Sequence, residues 1–236
     1  HHDLNGARYY NPEAKLKNGF IRNGHAVHFF SPKDVARSST IFRSSRIGQK
    51  HSNAAFLECV RIFKPDMIAF IHSVHITDES FAEAKRIRPG VRLVQICVDP
   101  LFRPKNIAVL ERRRAIADAT FITTAGAALK PYVRKGSVIS FIPNWVDPAI
   151  ETGRAFERSD QHFDLFFAAR AHVGEYEGDP RFTFPVAAQN ANDLTIDLHG
   201  VNGRPALHGA AFYDHMNEAR MALNLNGDRQ GDVKEP

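Results

Sequence analysis

Sulfur is scarce in this chain, which holds two cysteines, three methionines and a single tryptophan among 236 residues. Cys59 and Cys97 sit in apolar helix-like and strand-like contexts, with no second pair and no histidine cluster beside them. A disulfide framework is therefore excluded, and both thiols read as reduced core residues of a cytoplasmic protein. No apolar run approaches the roughly 18 residues that cross a bilayer, and no signal-peptide pattern is read. Catalytic signatures are missing as well. There is no Gly-Lys-Ser/Thr phosphate loop and no Gly-x-Gly-x-x-Gly after a strand, which argues against kinases and nicotinamide enzymes. Ser73 and Ser80 lack the Gly-x-Ser-x-Gly elbow of a hydrolase. No Asp-x-Asp pair occurs.

What is present is a core-forming, mildly basic chain. Hydrophobic residues make up 43% and the net charge is +5, with a pI near 9.3. That balance suits anionic ligands, acidic glycans or peripheral contact with an anionic membrane face. Arg86 and Arg88, Arg112 to Arg114, and Arg134 with Lys135 are scattered over helical segments rather than gathered in one stripe, so no nucleic-acid partner is expected. His1 and His2 read as the remainder of a purification tag.

The first 145 residues alternate helix and strand. Asn11 caps a helix opened by Pro12 and stopped at Gly24, and Ala26 to Phe30 reads as a strand. A helix from about Gly48 to Phe63 carries Phe56, Leu57, Val60 and Phe63 at helical spacing. Lys64-Pro65-Asp66 then turns into the strand Met67 to Ile71. Thr77 caps Asp78 to Arg88, and Val91 to Val98 is again strand-like. Helix Asn106 to Ala117, strand Thr120 to Thr123, helix Gly126 to Lys135 and strand Val138 to Ile142 complete the series. Apolar strands separated by helices imply parallel strands covered on both faces, the doubly wound α/β class. Such folds open with a strand, whereas this text opens at the loop DLNGARYY; that strand either precedes the sequence or is supplied from elsewhere. Truncation at one or both ends is thus expected.

The organisation changes at FIPNWVDP, Phe141 to Pro148, where a strand ends, an exposed-looking Trp145 follows and a polar stretch leads to the strand from Phe163 to Ala168. Two domains are expected, residues 3–147 and 148–236. Near the end, LTIDLHGVNGRPALHGAAFYDHMNEARMALNLN reads as strand, glycine-punctuated basic loop, amphipathic helix and second strand. Its loop from Gly200 to Gly209, and the strand end at Asn224 and Asn226, are expected to present backbone N–H and amide groups to a phosphorylated ligand.

Ile-Pro-Asn-x-Val-Asp followed by HFDLFFAAR resembles glycosyltransferases of the GT-B fold. The closing block PALHGAAFYDHMNEARMALNLN is similar to the bacterial CgeB-like and related family 1-like group, and NGARYYNPEAKLKNGFIRNGHAVHFF fits its opening. The likeness covers most of residues 3 to 226. It implies two Rossmann-like domains, an acceptor side and then a donor side, and transfer of a sugar from a nucleotide-diphosphate donor to a glycan, lipid-linked or small-molecule acceptor. The Ser-Ser-Asp-Arg-like, glycine-rich or paired-glutamate segment of that family does not follow the Leu-Asn strand here. The lack of Asp-x-Asp agrees with a transferase that uses no metal and no cofactor, in which helix N-termini and basic side chains stabilise the leaving diphosphate. The competing reading is a non-catalytic two-lobed α/β binding protein or an inactive transferase remnant.

Candidate residues follow from position. Arg170 ends the strand LFFAAR at the carboxyl edge of a parallel sheet, where such folds bind ligands, and is expected on phosphate. The alternative is a solvated strand-end arginine. Arg204 in the glycine loop is a second phosphate contact or a surface turn, and His208-Gly209 opens a helix or merely turns. Asn5-Gly6, ahead of a helix start, approaches donor phosphate by resemblance. His72 and His75 directly follow a buried strand, and one of them is the candidate general base, against a structural role. Their spacing with no third ligand nearby makes no zinc site. Asp99 is a third catalytic candidate at that edge or a turn cap. Asp78 and Glu79 occupy a first helical turn and read as structural.

Overall fold

Four parallel strands form the first sheet in the order β1-β2-β3-β4: Met67–Ile71, Arg92–Cys97, Ala119–Ile122 and Val138–Phe141. In the computed structural model, which describes residues 6–71, 73–101, 103–133, 135–136, 138–169 and 180–225, this sheet belongs to a unit built from Asn11–Val146. A second unit comprises the described parts of Asn5–Tyr10 and Asp147–Pro236. The fold class is α/β with two parallel sheets, compatible with a Rossmann-like fold. No helix among the described residues is long and apolar enough to cross a membrane.

Helices of the first unit start where their caps dictate. The Asn11 side chain accepts from the N–H of Ala14 at 2.8 Å, and Pro12 opens α1, Pro12–Arg22. Ser31-Pro32 opens the short α2, Pro32–Ser38, which the sequence reading left out. α3, Gln49–Phe63, buries Phe56 and Val60, and Lys64 ends it in a left-handed conformation. Thr77 accepts from the N–H of Ser80 at 3.2 Å to cap α4, Asp78–Ile87. α5, Pro104–Arg114, precedes β3. Phe56, Val60, Phe70, Ile76, Phe81, Ala84 and Leu93 make the main core.

Two expected elements differ. Residues Ala26 to Phe30 form no ladder. A strand is defined by a neighbour that takes its N–H and C=O groups, and here two side chains rest on α3 instead, with Phe30 6.0 Å from the Phe56 ring and His28 5.7 Å from Phe63. Gly126–Tyr132 is a 3₁₀ turn rather than an α-helix, because Pro131 has no N–H to extend α bonding. Trp145 is half-buried rather than exposed, its indole N–H donating to the Pro12 carbonyl at 2.8 Å. Both cysteines are free thiols; Cys97 is buried and Cys59 is half-buried rather than a full core residue.

The second sheet has the order β6-β5-β7, with β5 Phe163–Ala168 central, β6 Ile196–His199 and β7 Ala219–Ala222 on either side, all parallel. Phe166 and Phe167 are adjacent on a strand and so point to opposite faces. Phe167 clusters with Phe182 of α6, Pro180–Asn192, while Phe166 lies 5.6 Å from the Phe212 ring of α7, Ala211–Asn217. The two helices therefore cover opposite faces. Right-handed crossovers require this when β5→β6 and β6→β7 run in opposite directions across the sheet.

At the junction Asp147 is buried, with its carboxylate accepting from the N–H of Ala149 at 2.8 Å and its carbonyl from Ile150 and Glu151. This Asx-type turn is the local reason for a Val-Asp-Pro sequence at that position.

Candidate functional site

In the second unit the strand order reverses at β5, so chain direction away from the sheet changes between β5 and β7. At such a reversal the loops leaving the strand carboxyl ends part company and leave a crevice. The residues there are Ala169, after β5, and Leu223 with Asn224, after β7. Leu223 donates to the Phe166 carbonyl at 2.9 Å, which extends the pairing by one residue and leaves Asn224 exposed at the tip. Arg170, the next residue after Ala169, lies outside the described residues, as do Asn5, His72 and Asn226.

The glycine loop is built from internal hydrogen bonds. Gly200 has φ +73°, and a Cβ there would overlap the Ala169 carbonyl oxygen, so only glycine lets β6 leave the sheet this close to β5. The N–H of Gly200 donates to Pro205, that of Arg204 to Val201 and that of Gly209 to Ala7. Two of these N–H groups serve the loop itself and the third the turn at Ala7, contrary to the expectation that they face a ligand. The physical reason is that a tight loop must satisfy its own backbone before it can offer any of it. Arg204 and His208 are exposed, and what they bring to this edge is side-chain chemistry.

Gly6 has φ +72°, and its carbonyl accepts from the N–H of Tyr9 at 3.1 Å, so Gly6 opens a turn. This turn belongs with the second unit, not with the first as the sequence implied. Through Ala7 it meets Gly209, and it delivers Tyr9 and Tyr10 to α7. Tyr10 stacks on Phe212 at 5.3 Å, and Tyr9 and Tyr10 meet the Tyr213 ring edge-on at 6.3 and 5.9 Å. Burial, then the nearby Glu151 carboxylate, pushes the Tyr213 phenol up to about 12, so it is a hydrogen-bonding group and not an anion at neutral pH.

Next to this aromatic group is a polar one that the sequence reading missed. Register pairs Phe166 with Asp197 and Ala168 with His199, which places Asp197 and His199 on the sheet face that α7 covers. On α7, His215 follows Phe212 by three residues and so shares its inward face. The result is one carboxylate between two imidazoles: Asp197 Oδ1 lies 2.7 Å from His199 Nε2 and Oδ2 lies 2.8 Å from His215 Nδ1. Among the described residues, this is the group whose donor atoms have metal-ligand types and spacing. The Asp-x-His alternation of β6 was readable as two polar side chains on one strand face; the histidine of α7 was not, because only tertiary packing joins it to them.

In the first unit, His75 and Asp99 follow β1 and β2 at the carboxyl edge of a parallel sheet. The loop bearing His75 is clamped. Asn53 donates to the His75 carbonyl and accepts from the Thr77 N–H, each at 2.9 Å. The buried Arg113 donates to the carbonyls of Ser73 and Ile76 and pairs with Asp78 at 2.6 Å. Asp78 is thus structural through an ion pair as well as through its place in a first helical turn. Burial, then Lys33 and Arg37, hold His75 below the usual imidazole range, which keeps it in the neutral, proton-accepting form at physiological pH. Asp99 is half-buried, and its carbonyl accepts from the Cys97 thiol at 3.8 Å. A cavity of ≈ 310 Å³ lined by Arg114, Asp118, Thr120 and Val138 lies at the amino ends of β3 and β4, the edge that no sequence candidate occupies.

No protein-family model matches this chain, and a search of curated proteins returns no match.

Proposed function

We propose that this protein is a glycosyltransferase of the GT-B kind, or a close derivative, whose second unit takes the diphosphate of a nucleotide sugar at the carboxyl edge of β5 and β7. The observation that carries the reading is the β6-β5-β7 order, which puts the chain reversal, and with it the ligand edge of an open parallel sheet, at the carboxyl ends of β5 and β7, beside Asn224; in the sequence Arg170 follows the end of β5. The motif order from Ile-Pro-Asn-x-Val-Asp to Leu-Asn supplies the sugar-transfer part.

Transfer of a glycosyl group leaves growing negative charge on the diphosphate and positive charge on the sugar. Arg170 and Arg204 supply fixed positive charge for the first, with charge-assisted hydrogen bonds that strengthen as the bond breaks. Asn224 orients the donor through its amide, and the Gly6 and Gly209 turns shape the wall around it. His75, neutral at working pH, takes the proton from the acceptor hydroxyl, with Asp99 on the same sheet edge as the alternative base. This chemistry needs no metal ion and no cofactor, and the acceptor is a glycan, a lipid-linked molecule or a small hydroxyl compound.

The test is a thermal-shift panel of uridine, guanosine and thymidine diphosphates at millimolar concentration, followed by transfer of a labelled sugar. Binding at a hundredfold excess over Kd adds about 2.7 kcal/mol, a rise of several degrees. A shift with one base and turnover of its sugar supports the reading. A shift without turnover selects the non-catalytic binding protein, and no shift with any of them overturns the nucleotide site.

A further inference from the structure

We infer that Asp197, His199 and His215 form a binding site for a divalent transition-metal ion of the zinc type, fastening α7 to β6. One donor atom from each lies within 4.8 Å of the other two. The imidazole rings are 4.7 Å apart at 74° to one another, and each turns a ring nitrogen toward the shared carboxylate. Asp197 and His199 are 11% and 13% exposed, whereas His215 is 42% exposed, which leaves one open side.

The chemistry follows from these positions. Each imidazole nitrogen shares one proton with one oxygen of Asp197. A cation bound by the three donors takes the place of both shared protons, which pass to the other ring nitrogens, Nδ1 of His199 and Nε2 of His215. With ligand bonds of about 2.0–2.1 Å in a tetrahedral arrangement the N···O separations become about 3.3 Å, roughly half an ångström wider than those present. His199 has a second ring nitrogen, Nδ1, that is buried without a hydrogen-bond partner, so no competing interaction holds the ring against that movement. Two imidazoles and one carboxylate suit zinc, cobalt or nickel, whereas magnesium and calcium call for oxygen donors throughout. Three protein ligands leave a fourth position for water on the His215 side. The inference stands apart from the nucleotide reading, since these side chains lie between β6 and α7 and no step of transfer passes through them.

The test uses the full chain, stripped with a chelator and dialysed against zinc, with metal counted per chain, and then loaded with cobalt to read its visible spectrum. The chain is expected to hold one zinc tightly and to give the intense bands of four- or five-coordinate cobalt. His215→Ala is expected to weaken zinc binding at least about tenfold and to abolish the bands, whereas His162→Ala, outside the cluster, keeps both. His215→Ala melting near the wild-type temperature in chelator shows that the loss belongs to the site and not to unfolding; if it is unfolded, His215→Gln takes its place. Zinc uptake equal in wild type and His215→Ala, or no stoichiometric uptake by wild type, overturns the site and leaves a hydrogen-bonded network.

Discussion

Among the described residues, each unit holds a carboxylate-centred network that joins distant elements, and the two are built from different bases. In the first unit Asp78 faces the guanidinium of Arg113, whose remaining donors go to the Ser73 and Ile76 carbonyls, with the Phe81 ring 5.0 Å from its charge. Arginine does not give up its proton, so this network is permanent scaffolding for the loop that carries His75. In the second unit Asp197 faces two imidazoles, groups whose ring nitrogens can also ligate a metal ion. The comparison teaches that shared geometry does not mean shared purpose. The chemistry of the partner base decides whether a buried carboxylate is a strut or a site.

The comparison breaks most severely if Arg113 proves dispensable. Arg113→Ala strands two carbonyls and the Asp78 carboxylate, and a loss of about 3 kcal/mol is expected, discounted because Asp78 is partly solvated. A shifted urea midpoint with an unchanged slope checks it. Gly200→Ala comes next. A Cβ against the Ala169 carbonyl, at a positive φ, costs about 2 kcal/mol or more, whereas Gly203→Ala, in open space, costs only the strain of its own φ.

Asp118 sharpens the scaffold side. Burial works to raise its pKa, but the Leu93 N–H at 2.8 Å, then Lys85 and Arg92, outweigh it and bring the net value below the ordinary 3.8. A carboxylate depressed on folding stabilises above its unfolded pKa and loses that contribution as pH falls through the folded value. Asp118→Asn is therefore expected to cost about 1–2 kcal/mol at neutral pH and to flatten the acid limb of stability below about pH 4. An unchanged limb would assign that limb to other carboxylates.

The smallest effect is kinetic. With His75 as base and its pKa lowered, kcat/KM for transfer is expected to be flat at neutral pH. It should fall only as pH drops through a value below the ordinary histidine 6.5. His75→Ala removes that limb and lowers the rate by about 10²–10⁴-fold; retention of the limb passes the role to Asp99.

Legibility in the sequence followed the range of the interaction. Caps were readable, because Asn11-Pro12 and Thr77 satisfy N–H groups three residues away. The buried strands were readable from their apolar runs. Ala26 to Phe30 misled because an apolar run does not itself supply a strand to pair with, and Pro131 turned an expected helix into a 3₁₀ segment. The two networks were out of reach, since Arg113 meets Ser73 across 40 positions and His215 meets Asp197 across 18.

The most direct measurement of the central claim is hydrogen exchange of the chain with and without the nucleoside diphosphate that gives the largest thermal shift. Slower exchange is expected in segments 200–209 and 222–225, with the 118–139 edge unchanged. Protection confined to 118–139, or none in the second unit, would contradict a donor site at the carboxyl ends of β5 and β7.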